Sequence, residues 1–217
     1  MAKKFFIGIG GVAGCGKDTF YKISKEILES EYPELNVQRL SLADHLKDDL
    51  KDFIIEKFDI DPTECTRTEK DKIRPLLVAY AKVKRETSYG RYWIEKVEDY
   101  IKTLSTSKKT LFIITDLRFS YYEKDETYWI QEQKKGVVIH LSRFDNEINS
   151  EGEKIKNVIG PANEEERMHD PLVKVRADYK FQFPTLNVND DQFLNNLKPK
   201  VKSALNKIKK DHGHFFK

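Results

Sequence analysis

Apolar and polar positions alternate along this chain in two periods. Short unbroken apolar runs, Phe5–Ile9, Leu111–Ile114 and Val137–Leu141, read as strands covered on both faces. Between and after them, apolar residues recur at helical spacing. Phe20, Ile23, Ile27 and Leu28 form one such stripe and stop before Pro33. Phe193, Leu194, Leu197, Val201, Leu205 and Ile208 form another, with lysines on its wet side. The pattern predicts strand 5–10, helix 17–31, strand 37–42, helices over 44–58, 70–86 and 91–104, and strand 110–116. It continues with helix 120–134, strand 137–142, a polar stretch, strand 178–183 and a last helix over 190–209. Strands alternating with helices imply an α/β fold around a mainly parallel, doubly wound sheet. Two polar or irregular stretches, 61–92 and 143–176, interrupt the alternation and are natural positions for substrate flaps.

The turn after the first strand carries the clearest chemistry. Gly11-Val-Ala-Gly14-Cys15-Gly16-Lys17-Asp18-Thr19 has the G-x-x-x-x-G-K spacing of a Walker A phosphate loop, with Asp18 where Ser or Thr is usual. Amides that curl around a triphosphate need a backbone without obstructing side chains, which the glycines supply. The following helix points its positive end at the anion. Lys17 is placed to reach outer phosphates and Thr19 an inner one. Asp18 suits a helix's first turn, where the dipole favours negative charge; a carboxylate there is equally able to hold Mg²⁺ directly or through water.

Charge and cysteine content narrow the alternatives. Lys plus Arg number 39 against 36 Asp plus Glu, too small an excess for a strongly basic nucleic-acid surface. No apolar run approaches a membrane span, and Met1-Ala-Lys-Lys leads into the first strand, so a cytoplasmic protein is expected. Cys15 and Cys65 fit a reducing compartment, and the five histidines show no zinc spacing.

A second half of the site is expected where Leu111-Phe-Ile-Ile-Thr-Asp116 ends in a carboxylate, since ligands gather at the carboxyl edge of parallel strands. Asp116 would hold a Mg²⁺-bound water or the nucleophile, and Arg118 would clamp a phosphate. Alternatively, both cap the next helix and pair at the surface. Arg74 is read as preceding a helix opened by Pro75. Arg91 precedes Tyr92-Trp93, where Trp93 serves either base stacking or the core. Arg143 ends a strand; Arg167, Lys154 and Lys156 belong to a polar stretch; His140 reads as a core histidine.

Taken in order, these pieces resemble the bacteriophage deoxynucleoside monophosphate kinases. The resemblance rests on Gly16-Lys-Asp-Thr19, Leu42-Ala43-Asp44-His-Leu46-Lys47, Arg91-Tyr-Trp93, Asp116-Leu-Arg118-Phe, Val138-Ile-His-Leu-Ser-Arg143 and Ala177-Asp178, spanning roughly residues 5–208. It implies a P-loop nucleoside triphosphate hydrolase-type three-layer fold with a mainly parallel five-stranded sheet, in one domain over 1–217. The acceptor flap would cover about 43–108 and the lid about 143–176. It implies transfer of the γ-phosphoryl of ATP to a (deoxy)nucleoside monophosphate with Mg²⁺, in the host cytoplasm if the protein is phage-encoded. Lys17, Asp116 and Arg118 would be catalytic. Gly11, Gly14, Cys15, Gly16, Lys17, Asp18, Thr19 and Arg143 would bind ATP, with Asp18 the candidate metal ligand. Asp44, Lys47, Arg74, Arg91 and Trp93 would bind the acceptor, and Arg167 would approach the donor side. The chain departs from the family where a Glu often stands six residues after the strand-end Asp: here that residue is Tyr122, followed by Glu123. Thr66-Arg67 competes with Arg74 for one flap role.

Three other readings stay open: a small-molecule kinase such as one acting on dephospho-coenzyme A, an ATPase switch, and a kinase fold that has lost catalysis and survives as a binding protein. The switch lacks both a basic stripe and an N-K-x-D motif. A homodimer through the C-terminal helix and Phe215-Phe216 is expected as one possibility, a free tail as the other.

Overall fold

The computed structural model describes residues 3–104, 107–148, 153–185 and 193–216. Residues 190–192 of the expected last helix, and the side chains of Lys154, Phe193 and Leu194, lie outside the described residues. Strands β1 (Lys4–Gly10), β2 (Asn36–Leu40), β3 (Thr110–Leu117), β4 (Val137–Ile148) and β6 (Tyr179–Pro184) form a parallel sheet in the order β2-β3-β1-β4-β6. A sixth strand, β5 (Lys154–Val158), pairs antiparallel with the outer end of β4, from Phe144↔Val158 to Ile148↔Lys154.

Alternation along each strand divides the core into two layers. Phe5, Ile7, Ile9, Leu111, Ile113, Val137 and Ile139 pack against α1 (Lys17–Glu31) and α7 (Phe193–Asp211). Phe6, Phe112, Ile114 and Val138 face α4 (Tyr92–Thr103), Trp129 and Ile130, and Val173 of α6 (Glu164–Arg176). The expected α/β three-layer architecture with a phosphate loop between β1 and α1 is therefore present. A smaller apolar cluster, Leu50, Ile54, Ile73 and Leu77, joins α2 (Leu42–Phe58) to α3 (Arg67–Thr87). No described helix is long and apolar enough to cross a membrane.

Several elements differ from the sequence expectation. The helix expected over 120–134 begins only at Glu126 as α5 (Glu126–Tyr128) and continues as a π-turn over Trp129–Gln133. Asp125 caps it and also accepts the amides of Tyr121 and Tyr122, which holds the preceding residues in a loop. Pro75 does not open a helix. α3 starts at a capping box made by Thr66 and Glu69, and Pro75 lies in its interior. α2 begins at Leu42 because Ser41 caps it. The polar stretch 143–176 contains the β4–β5 pairing and α6, whose start is set by Asn163 accepting the Glu166 amide. Phe215 and Phe216, in α8 (Gly213–Phe216), are neither a free tail nor an exposed interface. They are buried against Phe5 and Tyr32 of the same chain.

α6 is seated tightly on the first strand. A Cβ at Gly10 would stand 2.5 Å from a Val173 methyl, and Val173 is itself buried. Gly10→Ala should lower the free energy of unfolding by about 1–3 kcal/mol through this overpacking. Urea denaturation checks it, and an unchanged midpoint would mean that α6 shifts freely.

Candidate functional site

The phosphate loop has the backbone its sequence calls for. Gly11, Gly14 and Gly16 all adopt positive φ, at 133°, 74° and 95°. At Gly11 a Cβ would also lie 2.3 Å from the Leu141 carbonyl oxygen, so the loop rests directly on β4. α2, α3 and α6 are capped by the side chains of Ser41, Thr66 and Asn163, but α1 has no side-chain cap, which leaves its first amides to an anion. The Lys17 ammonium lies back over the loop, donating to the carbonyls of Gly11 (2.6 Å) and Val12 (2.9 Å) and toward Cys15 Sγ (3.8 Å). Burial pushes the Cys15 thiol above its ordinary value, against the pull of Lys17, so it packs as a neutral core group under the loop.

Arg143 joins this assembly as expected from its place on β4. Its Nη1 donates to Gly14 O at 2.8 Å, while its buried Nε has no partner among the described residues. Beside it, Cys15, Gly16, Thr19, Phe20 and Arg143 form one wall of a pocket, and Phe183, Pro184, Leu197 and Val201 the other. Together these residues enclose a small, mostly apolar pocket that touches the phosphate loop. A larger groove between α1 and α7 is lined by the ion-paired Glu26, Glu31, Lys198 and Lys202 and lacks such convergence.

On the other side stands a cluster that gathers the expected Asp18, Asp44, Lys47 and Asp116 around Arg39, a residue that the sequence reading did not single out. Arg39, on β2, reaches Asp18 at the start of α1 (3.5 Å) and Asp44 at the start of α2 (2.7 Å). Burial opposes the charge of Arg39, but Asp44, Asp18 and Asp116 around it raise its pKa overall. Lys47 lies 3.9 Å from Asp44. Asp116 accepts from Ser41 Oγ (2.8 Å) and from the amides of Leu42 (3.0 Å) and Ala43 (2.8 Å). It thus anchors an earlier helix, α2, rather than the one after it. Arg118 is exposed, and no described side chain pairs with its guanidinium. Arg39 carried a weak sequence signal, because a lone arginine in a short strand looks like an edge residue.

For Mg²⁺, Asp18 offers a hard carboxylate oxygen with 72% of its side chain exposed. No group of three or more acidic, His or Cys residues suited to a metal cage occurs among the described residues. Mg²⁺ commonly takes most of its ligands from phosphate and water, so a single carboxylate fits it.

Other expected residues are placed elsewhere. Trp93 is a core residue: it is buried in the layer beneath the sheet, and its indole donates toward Ala81 O at 3.4 Å, so no face is open for stacking. Arg74 is exposed and pairs with Asp71 on its own helix (2.8 Å). Arg91 donates to Gln133 Oε1 (3.1 Å) and lies near Glu95, which commits it to bracing α4. Tyr92, its neighbour, donates its hydroxyl to Asp49 of α2 (2.6 Å). Arg67 opens α3 at the surface, Arg167 pairs with Glu164 (3.1 Å), and Lys156 covers the Phe144 ring (4.6 Å). His140 is a paired core histidine, with Nε2 3.0 Å from Asp170.

Buried acidic residues at two places were not anticipated. Glu166 accepts the Ala13 amide of the phosphate loop and the Ala162 amide, each at 3.0 Å, tying α6 to the loop. Asn163 followed by three glutamates is a helix-start signal that could have revealed it. The other is the pair Asp125–Glu126. Asp125 receives Arg85 in a bidentate pair (2.8 and 2.6 Å), and Glu126 accepts the amides of Arg118 (2.6 Å) and Phe119 (3.0 Å). Glu123, the acid nearest the family position, is exposed.

No family model and no curated protein sequence matches this chain. Solved structures with a related course of the chain include three kinases. The shikimate kinase from Bacteroides thetaiotaomicron is 12% identical, with TM-score 0.41, covering 93% of this chain and 98% of that one. The thymidylate kinase from Ehrlichia chaffeensis is 11% identical, with TM-score 0.36 and coverage of 94% and 99%. A mutant of the Mycobacterium tuberculosis APS kinase is 9% identical, with TM-score 0.35 and coverage of 95% and 99%. Likeness at this level carries no argument about activity, and the fold assignment rests on the strand order and the loop.

Burial, reinforced by the neighbouring Asp125 charge, pushes the Glu126 pKa up from 4.5 to about 8. An unfolded chain releases this proton near 4.5 and the folded one near 8, so the folded state binds more protons between these values. Glu126 therefore makes stability fall as pH rises through that window. In urea midpoints taken at about pH 5 and about pH 8, Glu126→Gln should lose less stability than the parent. Equal losses would mean that Glu126 is already ionised in the fold.

Proposed function

We propose that this protein is an ATP-dependent (deoxy)nucleoside monophosphate kinase. The observation that carries the reading is the uncapped start of α1 beneath a loop with three positive-φ glycines, with Lys17 poised above it and exposed Arg118 at the neighbouring strand end. The loop amides, Lys17 and Thr19 hold the triphosphate. The pocket walled by Phe183, Pro184, Leu197 and Val201 takes the donor base, with Arg143 at its rim. The acceptor lies toward α2 and α3, where Arg39, Asp44, Lys47 and Arg118 line the approach.

An acceptor phosphate oxygen is already a competent nucleophile at neutral pH, so no covalent intermediate or strong base is required. Catalysis is positioning plus neutralisation of charge by Lys17 and Arg118. Asp18 would hold Mg²⁺, which when bound would supply further neutralisation of the phosphate oxygens. Asp116 sets the start of α2, and hence the acceptor side, through its three hydrogen bonds. Within the segment 143–176, whose α6 is packed on β1 and the phosphate loop, the β4–β5 hairpin serves as the lid that excludes water during transfer.

A coupled ADP-release assay across the common dNMPs and NMPs should show turnover only with one or a few monophosphates, and Lys17→Ala should reduce it by about 10²–10³-fold. ADP release without an acceptor would instead favour an ATPase switch, and turnover with dephospho-coenzyme A alone a different small-molecule kinase. In a Mg²⁺ titration of the same assay, Asp18→Asn should raise the concentration for half-maximal rate several-fold. An unchanged requirement would remove Asp18 from the metal site.

A further inference from the structure

Arg118 has no side-chain partner among the described residues, yet the backbone that carries it is held with unusual thoroughness. Glu126 accepts the amides of Arg118 and Phe119 on the same oxygen, Oε2. Asp125 accepts the amides of Tyr121 (2.9 Å) and Tyr122 (3.1 Å), also on a single oxygen. Four amides of a short loop, one with neither helix nor strand to satisfy them, thus end on two adjacent buried carboxylates. Arg85 of α3 completes the arrangement. It is 7% exposed, pairs with both Asp125 oxygens, and lies over the rings of Phe119 (3.8 Å) and Tyr122 (4.8 Å). Gly90 leaves room for it, since a Cβ there would lie 2.9 Å from Asp125 Oδ1.

Burying three ionisable groups is a poor route to stability, because an apolar cluster of the same volume serves as well or better. What the polar arrangement adds is geometry: it determines the path of residues 118–122, the first residues beyond the carboxyl end of β3. We infer that Glu126, with the Arg85–Asp125 pair, positions Arg118 for the phosphate of the acceptor, coupling the acceptor-side helix α3 to the strand edge. This rests on the kinase reading above. Glu126 touches neither substrate; it acts through the Arg118 backbone. The charged and titratable groups around it are Asp125, Arg85 and Arg118, with Lys82 of α3 and Glu165 and His169 of α6 bordering the same cluster.

The geometry supplies its own control. Because both amides go to one oxygen, the Glu126→Gln carbonyl can keep them, whereas Glu126→Leu loses both. Calorimetric binding of the accepted monophosphate, and separately of ATP, would be measured for the parent, Glu126→Gln, Glu126→Leu, Arg118→Ala and the double variant Arg118→Ala/Glu126→Leu. Monophosphate binding should weaken about tenfold or more in Glu126→Leu, stay within about twofold in Glu126→Gln, and fall no further in the double variant than in Arg118→Ala. ATP affinity should be unchanged in all of them. If Glu126→Leu does not fold, Glu126→Asp replaces it; its shorter reach should break the same amide bonds and weaken monophosphate binding alone. Unchanged monophosphate binding in a protein that phosphorylates it would overturn the positioning role and leave the kinase reading intact. Additive losses in the double variant, or a parallel loss of ATP, would overturn it as well. A parent that binds ATP but no monophosphate would overturn both.

Discussion

The turn between β1 and α1 leads into a helix start with no side-chain cap, and much of the surrounding architecture follows from that open end. Gly11 sits against the Leu141 carbonyl in a conformation that L side chains rarely adopt, and Gly16 leaves α1 without a side-chain cap. The loop therefore depends on its neighbours to keep its shape. Lys17 braces it from above, Arg143 bonds the Gly14 carbonyl, and Glu166 takes the Ala13 amide. Each brace comes from a different element, α1, β4 and α6, so the loop's geometry reports the packing of the whole sheet edge.

Charge is distributed unevenly around this edge. On the β2 side, Arg39 is shared among the carboxylates of Asp18, Asp44 and Asp116 in a partly open setting, where solvent moderates each interaction. Behind the end of β3, Arg85, Asp125 and Glu126 are almost fully buried and satisfied by backbone amides and aromatic faces. The first arrangement can rearrange when an anion or a cation arrives. The second cannot without unpairing buried charge, which is costly. A yielding rim around a rigid base is a workable design for positioning two charged substrates.

Wherever local pattern is sufficient, the sequence was a good guide. The strand–loop–helix at the phosphate loop, the apolar strands β3 and β4, and the stripes of α1 and α7 were all legible, because burial on both faces or on one face leaves a direct periodic trace. The helix expected over 120–134 was not, since helical propensity there is overridden by Asp125, whose partner Arg85 lies forty residues earlier. α6 was hidden within a polar stretch because its buried face is narrow: Glu166 and Val173 are its buried positions, and one of them is a carboxylate. Trp93 was open to two readings, and the core reading holds. An aromatic residue beside arginine suits a base platform as well as the core, and the choice was decided by how α4 meets the sheet.

The sequence by itself thus determined the layered α/β fold, the phosphate loop, and the candidacy of Lys17, Arg118 and Arg143. These depend on residue type and short-range spacing, which a single chain displays directly. Tertiary structure alone decided which charges meet: Arg39 with Asp18 and Asp44, Asp116 with the start of α2, Glu166 with Ala13, and Arg85 with Asp125. Those pairings join residues that come together only after strands have crossed over and helices have packed. Their energies depend on distance and burial, and neither is written in the order of the residues.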